Sequence, residues 1–239
     1  MRREAGRASD VAPPPGAVPA PGGDGLGEEQ AREGAMEGAL LACGELGYRE
    51  ASVRAILDRS GGHRAQFYDH FASKEDCFAQ AYSVWIDRLG IELLQAAVAA
   101  PGWEAGVRAG IAWLFRFAIE RPAIAQALFV EVQIAGEPAT AKREAALERL
   151  AAAVDSARND LAPEQEPPDA TASFVVGGVE SCVAEALTAG DPARLWDALP
   201  ELMHFAVGSY FGKAEAEAAF ERASELLARD RAALTGASE

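Results

Sequence analysis

Residues 51–75 read ASVRAILDRSGGHRAQFYDHFASKE and gather several kinds of hydrogen-bond donor into a short stretch. The guanidinium of Arg64 and the carboxamide of Gln66 are groups that pair bidentately with guanine and adenine edges. The hydroxyl of Ser52, the phenol of Tyr68 and the ammonium of Lys74 can each donate to a phosphate oxygen. His63 and His70 add two imidazoles among them. This is chemistry for recognising a polyanion rather than for making or breaking bonds.

Side chains of this kind read a duplex only when a rigid element presents them together. Ser52 is a good N-cap for a short helix whose Val53, Ile56 and Leu57 face inward. Gly61 and Gly62 supply a tight turn, since glycine takes positive φ without a steric cost. A third helix, from His63 or Arg64 to Phe71, carries Phe67 and Phe71 four apart on its buried side. Arg64, Gln66, Tyr68 and His70 are then left for its other faces. A longer helix over residues 28–46 precedes this pair and closes at Gly47. Two short helices about a glycine turn, packed on a longer one, make a helix-turn-helix.

Gly47-Tyr48, Ala51-Ser52-Val53, Ile56-Leu57, Gly61, Phe67-Tyr68, His70-Phe71 and Ser73-Lys74-Glu75 stand at fixed spacings, and this run resembles the signature of the TetR family of bacterial transcriptional regulators. The close match covers about 30 residues. Beyond it the resemblance is architectural. It implies that the third helix lies in the major groove, with Arg64, Gln66 and His63 near the bases, Ser52, Tyr68 and Lys74 at family phosphate positions, and His70 also among the DNA-binding residues. The chain departs from the family at Gly62, where a valine packs the turn, and at His63, where Ser or Thr caps the third helix. Ala35 and Cys43 replace the larger residues usual in the first helix, which predicts a thinner core for the small domain.

The remainder reads as helical almost throughout, about nine helices in an all-α fold, divided by Gly and Pro clusters. Ser73 and Asp76 fit a capping box, followed by a stripe of Phe78, Tyr82, Trp85, Leu89 and Leu93. Residues 107–119 are apolar on nearly every side and predict a central helix. Residues 1–27 hold six Gly and five Pro and are expected to be a disordered extension. The expected organisation is that extension, a DNA-binding domain over 28–75 with its motif at about 52–71, and a helical ligand-binding and dimerisation domain over 76–239.

By the resemblance, the larger domain holds a small-molecule effector, taken here as apolar or amphipathic. Trp85, Trp103, Trp113, Phe117, Phe129 and Phe174 are its expected lining, with Glu131 as a polar partner. One small reading domain offers few contacts, so a homodimer on double-stranded operator DNA is expected. Its interface is placed on Phe174, Gly177, Gly178, Ala184, Met203, Phe205 and Tyr210. Repression is the expected mode of action, because the family mostly works by blocking polymerase.

Charge and composition narrow the alternatives. The net charge is −15, yet residues 49–74 hold five positive and three negative charges, so the remainder carries −17. General affinity for nucleic acid is excluded, whereas a local reading head is not. Three widely spaced cysteines fit neither a disulfide framework nor a metal knuckle, and no metal or cofactor is expected. No run of apolar residues is long enough for a membrane span, which predicts a cytoplasmic protein with no membrane partner. G-x-S-x-G, H-E-x-x-H, Walker A and dinucleotide motifs are absent, so an enzyme is not expected. The competing reading is a helical ligand-binding or interaction protein that has lost DNA binding.

Overall fold

Ser52 caps the helix that follows it: its Oγ accepts the Ala55 N–H at 3.2 Å. The computed structural model describes residues 24–236; most of the expected N-terminal extension lies outside them. Ten α-helices succeed one another, and no strand occurs among the described residues. The first four are α1 (Asp24–Leu46), α2 (Val53–Ser60), α3 (Arg64–His70) and α4 (Lys74–Val98). They are followed by α5 (Trp103–Glu120), α6 (Pro122–Phe129) and α7 (Glu137–Asp155). Last come α8 (Thr171–Thr188), α9 (Leu195–Phe211) and α10 (Lys213–Gly236).

The helix-turn-helix is built as its sequence suggests, with one simplification. Gly61 ends α2 at φ 67°, and its N–H reaches Leu57 O at 2.9 Å. Gly62 does not take a positive φ, so only the first glycine of the pair is required by the backbone. His63 precedes α3 and makes no capping bond. Phe67 and Phe71 are buried with ring centroids 5.3 Å apart, and Ile56 of α2 is buried with them. The positions that look thin, Ala35 and Cys43, are closed over: both are buried, as is Cys77 of α4, whose thiol reaches Ala35 O at 3.6 Å. Burial pushes both thiols up to about 12, so they stay protonated.

α4 starts on Ser73, whose Oγ accepts the Asp76 N–H at 3.2 Å. Asp76 returns the bond to Ala72 N at 2.9 Å, one residue earlier than a standard capping box. The helix then runs for 25 residues out of the small bundle and into the larger one. There α5 packs against α4, α6, α8 and α9, the central place its apolar circumference demands. α10 folds back along α9 after Gly212, whose φ is 84°.

The small bundle meets the body where α1 crosses α6. A Cβ on Gly44 would lie 1.8 Å from Ala123 O, so the two backbones touch and only glycine fits. Tyr48, in the loop after α1, completes the joint. Its N–H donates to Glu131 Oε2 at 2.7 Å and its phenol to Ala135 O at 3.2 Å.

Three glycine substitutions separate these roles. Gly44→Ala is expected to destabilise by about 1–3 kcal/mol despite a better helix propensity, because backbone blocks the new methyl. Gly61→Ala should cost about 1 kcal/mol from its left-handed φ. Gly62→Ala should be neutral or stabilise by about 0.4–1 kcal/mol through the unfolded chain. Urea denaturation of the three variants checks the order.

Candidate nucleic-acid interface and apolar cavity

With Phe67 turned inward, α3 presents His63, Arg64, Gln66 and Tyr68 to solvent, and His70 is half-buried. The Arg64 guanidinium lies 5.4 Å from the centre of the Tyr68 ring, which holds both side chains on one outer side. Ser52 is exposed at the start of α2, in keeping with its place at the edge of the motif. Arg54, with 88% of its side chain exposed, projects from the first turn of α2, and Arg49 is exposed in the preceding loop. Spacing did not single out these two arginines, although both contribute to the local positive charge. Arg59 is drawn back to Glu45 by a 2.6 Å ion pair.

Lys74 is placed differently from the others. Its side chain is only 15% exposed. Nζ donates to Tyr48 O at 2.7 Å and stands 4.5 Å from the centre of the Tyr48 ring. One of its three N–H groups is therefore committed to the joint, leaving two for other acceptors.

In the larger bundle, α4, α5, α7 and α8 line a cavity of about 240 Å³ that is open to solvent on the side of Val98 and Gly102. Of its 21 lining residues, all but Ser156 and Glu180 are apolar or glycine. The wall is mostly aliphatic, with Leu93, Leu147, Leu150, Val175, Val176 and Val179 among its members. Two of the expected aromatics, Trp103 and Phe129, belong to it. Trp103 is fixed by a 2.7 Å bond from its indole N–H to Val154 O. At the end nearer the small bundle, Arg143 donates through Nε and Nη2 to the two oxygens of Glu180, at 2.6 and 2.5 Å. Tyr82 is fully buried, its hydroxyl has no partner, and burial pushes its phenol above the usual range.

The other aromatics serve elsewhere. Trp85, Trp113 and Phe117 line a separate polar groove with Arg88, Arg116 and Arg121. Trp113 and Phe117 stack on each other, 5.7 Å apart and 9° from parallel, being one helical turn apart on α5. Glu131 is taken up by Tyr48 at the joint. Phe174 is 68% exposed and points away from the cavity.

Of the residues assigned to a dimer surface, Phe174 and Phe205 are exposed, and Gly177 and Gly178 have open space above them. Ala184 is half-buried. Met203 and Tyr210 face the chain's own core, and the Tyr210 phenol donates to Asp155 at 2.9 Å, so neither is free for a partner chain. Among the described residues, no cluster of His, Cys, Asp or Glu could hold a metal ion. No helix there is long and apolar enough to cross a membrane.

Residues 36–81, from the second half of α1 into α4, match the model of the bacterial regulatory proteins of the tetR family. No curated protein matches the chain. The fold is similar to that of the fatty acid degradation regulator FadR from Bacillus halodurans, with TM-score 0.66 and 13% identity over 76% of this chain and 96% of that one. It is similar to a transcriptional regulator FadR from Bacillus subtilis, solved in complex with stearoyl-CoA, with TM-score 0.63 and 13% identity over 75% and 97% of the two chains. A TetR family regulator from Marinobacter aquaeolei VT8 gives TM-score 0.60 and 18% identity over 75% and 97%. At these identities the likeness establishes a shared fold.

The Lys74 geometry has a measurable consequence. Lys74→Ala is expected to lower stability by about 1.5–3 kcal/mol, the usual contribution of a hydrogen bond to a charged group. Arg64→Ala and Gln66→Ala, both at exposed positions, should stay within about 0.5 kcal/mol of the parent in the same denaturation experiment.

Proposed function

We propose that this chain, whose N-terminal helices form a TetR-family helix-turn-helix domain, is a transcription regulator that binds operator DNA as a homodimer and is released by a small apolar ligand. The observation that carries the reading is α3. It is a short rod anchored by Phe67, and it holds Arg64, Gln66 and Tyr68 on its exposed side. Arg64 and Gln66 read guanine and adenine edges in the major groove. Ser52, Tyr68 and the free donors of Lys74 grip phosphates, with Arg54 and Arg49 extending the grip along the backbone. His63 and His70 lie at the two ends of the reading helix.

A homodimer through the outer faces of α8 and α9 brings two such helices to half-sites about 34–36 Å apart, or a multiple of that. Phe174, Gly177, Gly178 and Phe205 supply an apolar, closely approachable surface for it. The effector occupies the cavity beside α4, and α4 carries its position to the small bundle. Repression by occlusion of polymerase is the mode that the family resemblance implies.

The test is binding to duplexes selected from a random pool, together with duplex from the gene's own upstream region, at several salt concentrations. Gln66→Ala should cost about 1–3 kcal/mol and relax preference at one base pair. Arg54→Ala should weaken all sequences alike and lower the salt slope by about one. If both variants bind as the parent does, α3 is not the reading helix. If the parent binds no duplex at low salt, the chain is a ligand-binding protein without an operator. Light scattering at micromolar concentration should give twice the chain mass, and Phe174→Glu combined with Phe205→Glu should halve it.

A further inference from the structure

The polar atoms of the cavity wall are all of one kind. Ser156 Oγ spends its hydrogen on Ala153 O at 2.7 Å, leaving only lone pairs. The Trp103 indole N–H is spent on Val154 O. Glu180 accepts two bonds from Arg143, while a carboxylate offers about four lone-pair sites, so it retains acceptor capacity where it lines the cavity. Arg143 itself is not part of the wall. A ligand entering this space therefore meets two acceptors and no free side-chain donor.

From this we infer that the effector is an uncharged, elongated aliphatic molecule with a single hydroxyl at one end, which it donates to Glu180. This deepens the reading of the cavity as the effector site and rests on it. An anionic head is rejected at both ends. At the inner end it would face the Glu180 carboxylate, since Arg143, the donor paired with that carboxylate, is not part of the wall. At the outer end Arg158 is committed to Asp155 and to the Pro167 and Pro168 carbonyls. Arg222 is committed to Glu104, the residue after Trp103. A cationic head gains little, because Arg143 already balances the charge of Glu180 and would repel it. A hydroxyl satisfies Glu180 without bringing a charge out of water.

Length also selects. On α5 the wall runs from Trp103 to Leu114, about 16 Å at 1.5 Å per residue, which suits an extended chain rather than a compact ring system. The fatty acyl thioester in the similar Bacillus subtilis structure shares the aliphatic part. It differs from the ligand inferred here in its polar end.

Dodecanol, dodecanoate and dodecylamine, each below its micellar concentration at neutral pH, test this by titration calorimetry on the full chain. Dodecanol is expected to bind at least about tenfold more tightly than either charged analogue, since burying an unmatched polar group costs about that much or more. Val179→Trp, which fills the cavity, should abolish binding of all three. Glu180→Gln gives the wall a donor and should bring dodecanoate to within a few-fold of dodecanol. Should that variant fail to fold, Arg143→Met with Glu180→Leu removes the pair as a unit and should cost dodecanol at least about tenfold in affinity, because its hydroxyl then has no acceptor at that end. Dodecanoate binding as tightly as dodecanol to the parent would overturn the hydroxyl assignment and leave the effector cavity standing. An alcohol preference that survives Glu180→Gln, or dodecanol affinity unchanged by Arg143→Met with Glu180→Leu, would overturn the role of Glu180. Binding of none of the probes, or binding untouched by Val179→Trp, would overturn the effector site itself and this inference with it.

Discussion

Tyr48 is the residue on which the relation between the two helical bundles turns. Both of its backbone polar groups and its phenol are tied to other elements: the N–H to Glu131, the carbonyl to Lys74 and the hydroxyl to Ala135. Its ring lies edge-on to Phe78 of α4 at 5.0 Å, with the Lys74 ammonium over it. Burial pushes the phenol up to about 12, so it remains a donor at any neutral pH. Two of these bonds involve a charged group, each of a kind that contributes about 1.5–3 kcal/mol. Gly44 on Ala123 adds a backbone contact that admits no side chain. The loop after α1 is thus clamped between the end of α6 and the start of α4, and α3 inherits its orientation from that clamp.

The clamp also bears on the charge pattern. An acidic chain with net charge −15 repels a polyanion over most of its surface. Association is then confined to the few places where cations project. Arg54 and Arg64 project, whereas Arg59 and Lys74 are drawn into Glu45 and Tyr48. The local cationic field is smaller than the sequence count implies. On the proposed function, affinity then rests on placement of two reading helices more than on bulk counterion release, and placement is what a rigid joint supplies.

What the sequence made legible were features that act within a few residues. Ser52, Gly61, Phe67 with Phe71, and Ser73 each act through a local bond or a helical spacing, and spacing is visible in a string. Features that depend on two distant segments meeting were not. Gly44 is an ordinary helix glycine until α6 crosses it, and Glu131 looks like a pocket residue until Tyr48 is found against it. Lys74 turns toward a carbonyl 26 positions earlier, a bond set by the loop after α1. Of the aromatics that stand out in the sequence, only Trp103 and Phe129 line the cavity. Trp113 and Phe117 satisfy each other on one helix, and the space is left between branched aliphatics. One assignment was open to better reading. Met203, Val207 and Tyr210 form a single helical stripe, and Phe205 lies off it, so the stripe belongs to the core and Phe205 to the outside.

On the proposed mechanism, the geometry of α4 makes a small displacement sufficient. Glu180, paired with Arg143, closes the inner end of the cavity, and Tyr82 of α4 lies near enough to feel both charges. Tyr82 stacks on Phe78 at 6.3 Å, and Phe78 meets Tyr48 edge-on, so packed rings connect the cavity end to the clamp. α4 is 25 residues long, about 37 Å. Tilting a rod of that length by about 5° displaces one end against the other by about 3 Å. That is close to the rise between neighbouring bases on one strand, about 3.4 Å. A pair of reading helices held at a fixed separation would lose register with its half-sites by nearly a base pair, without any change inside α3.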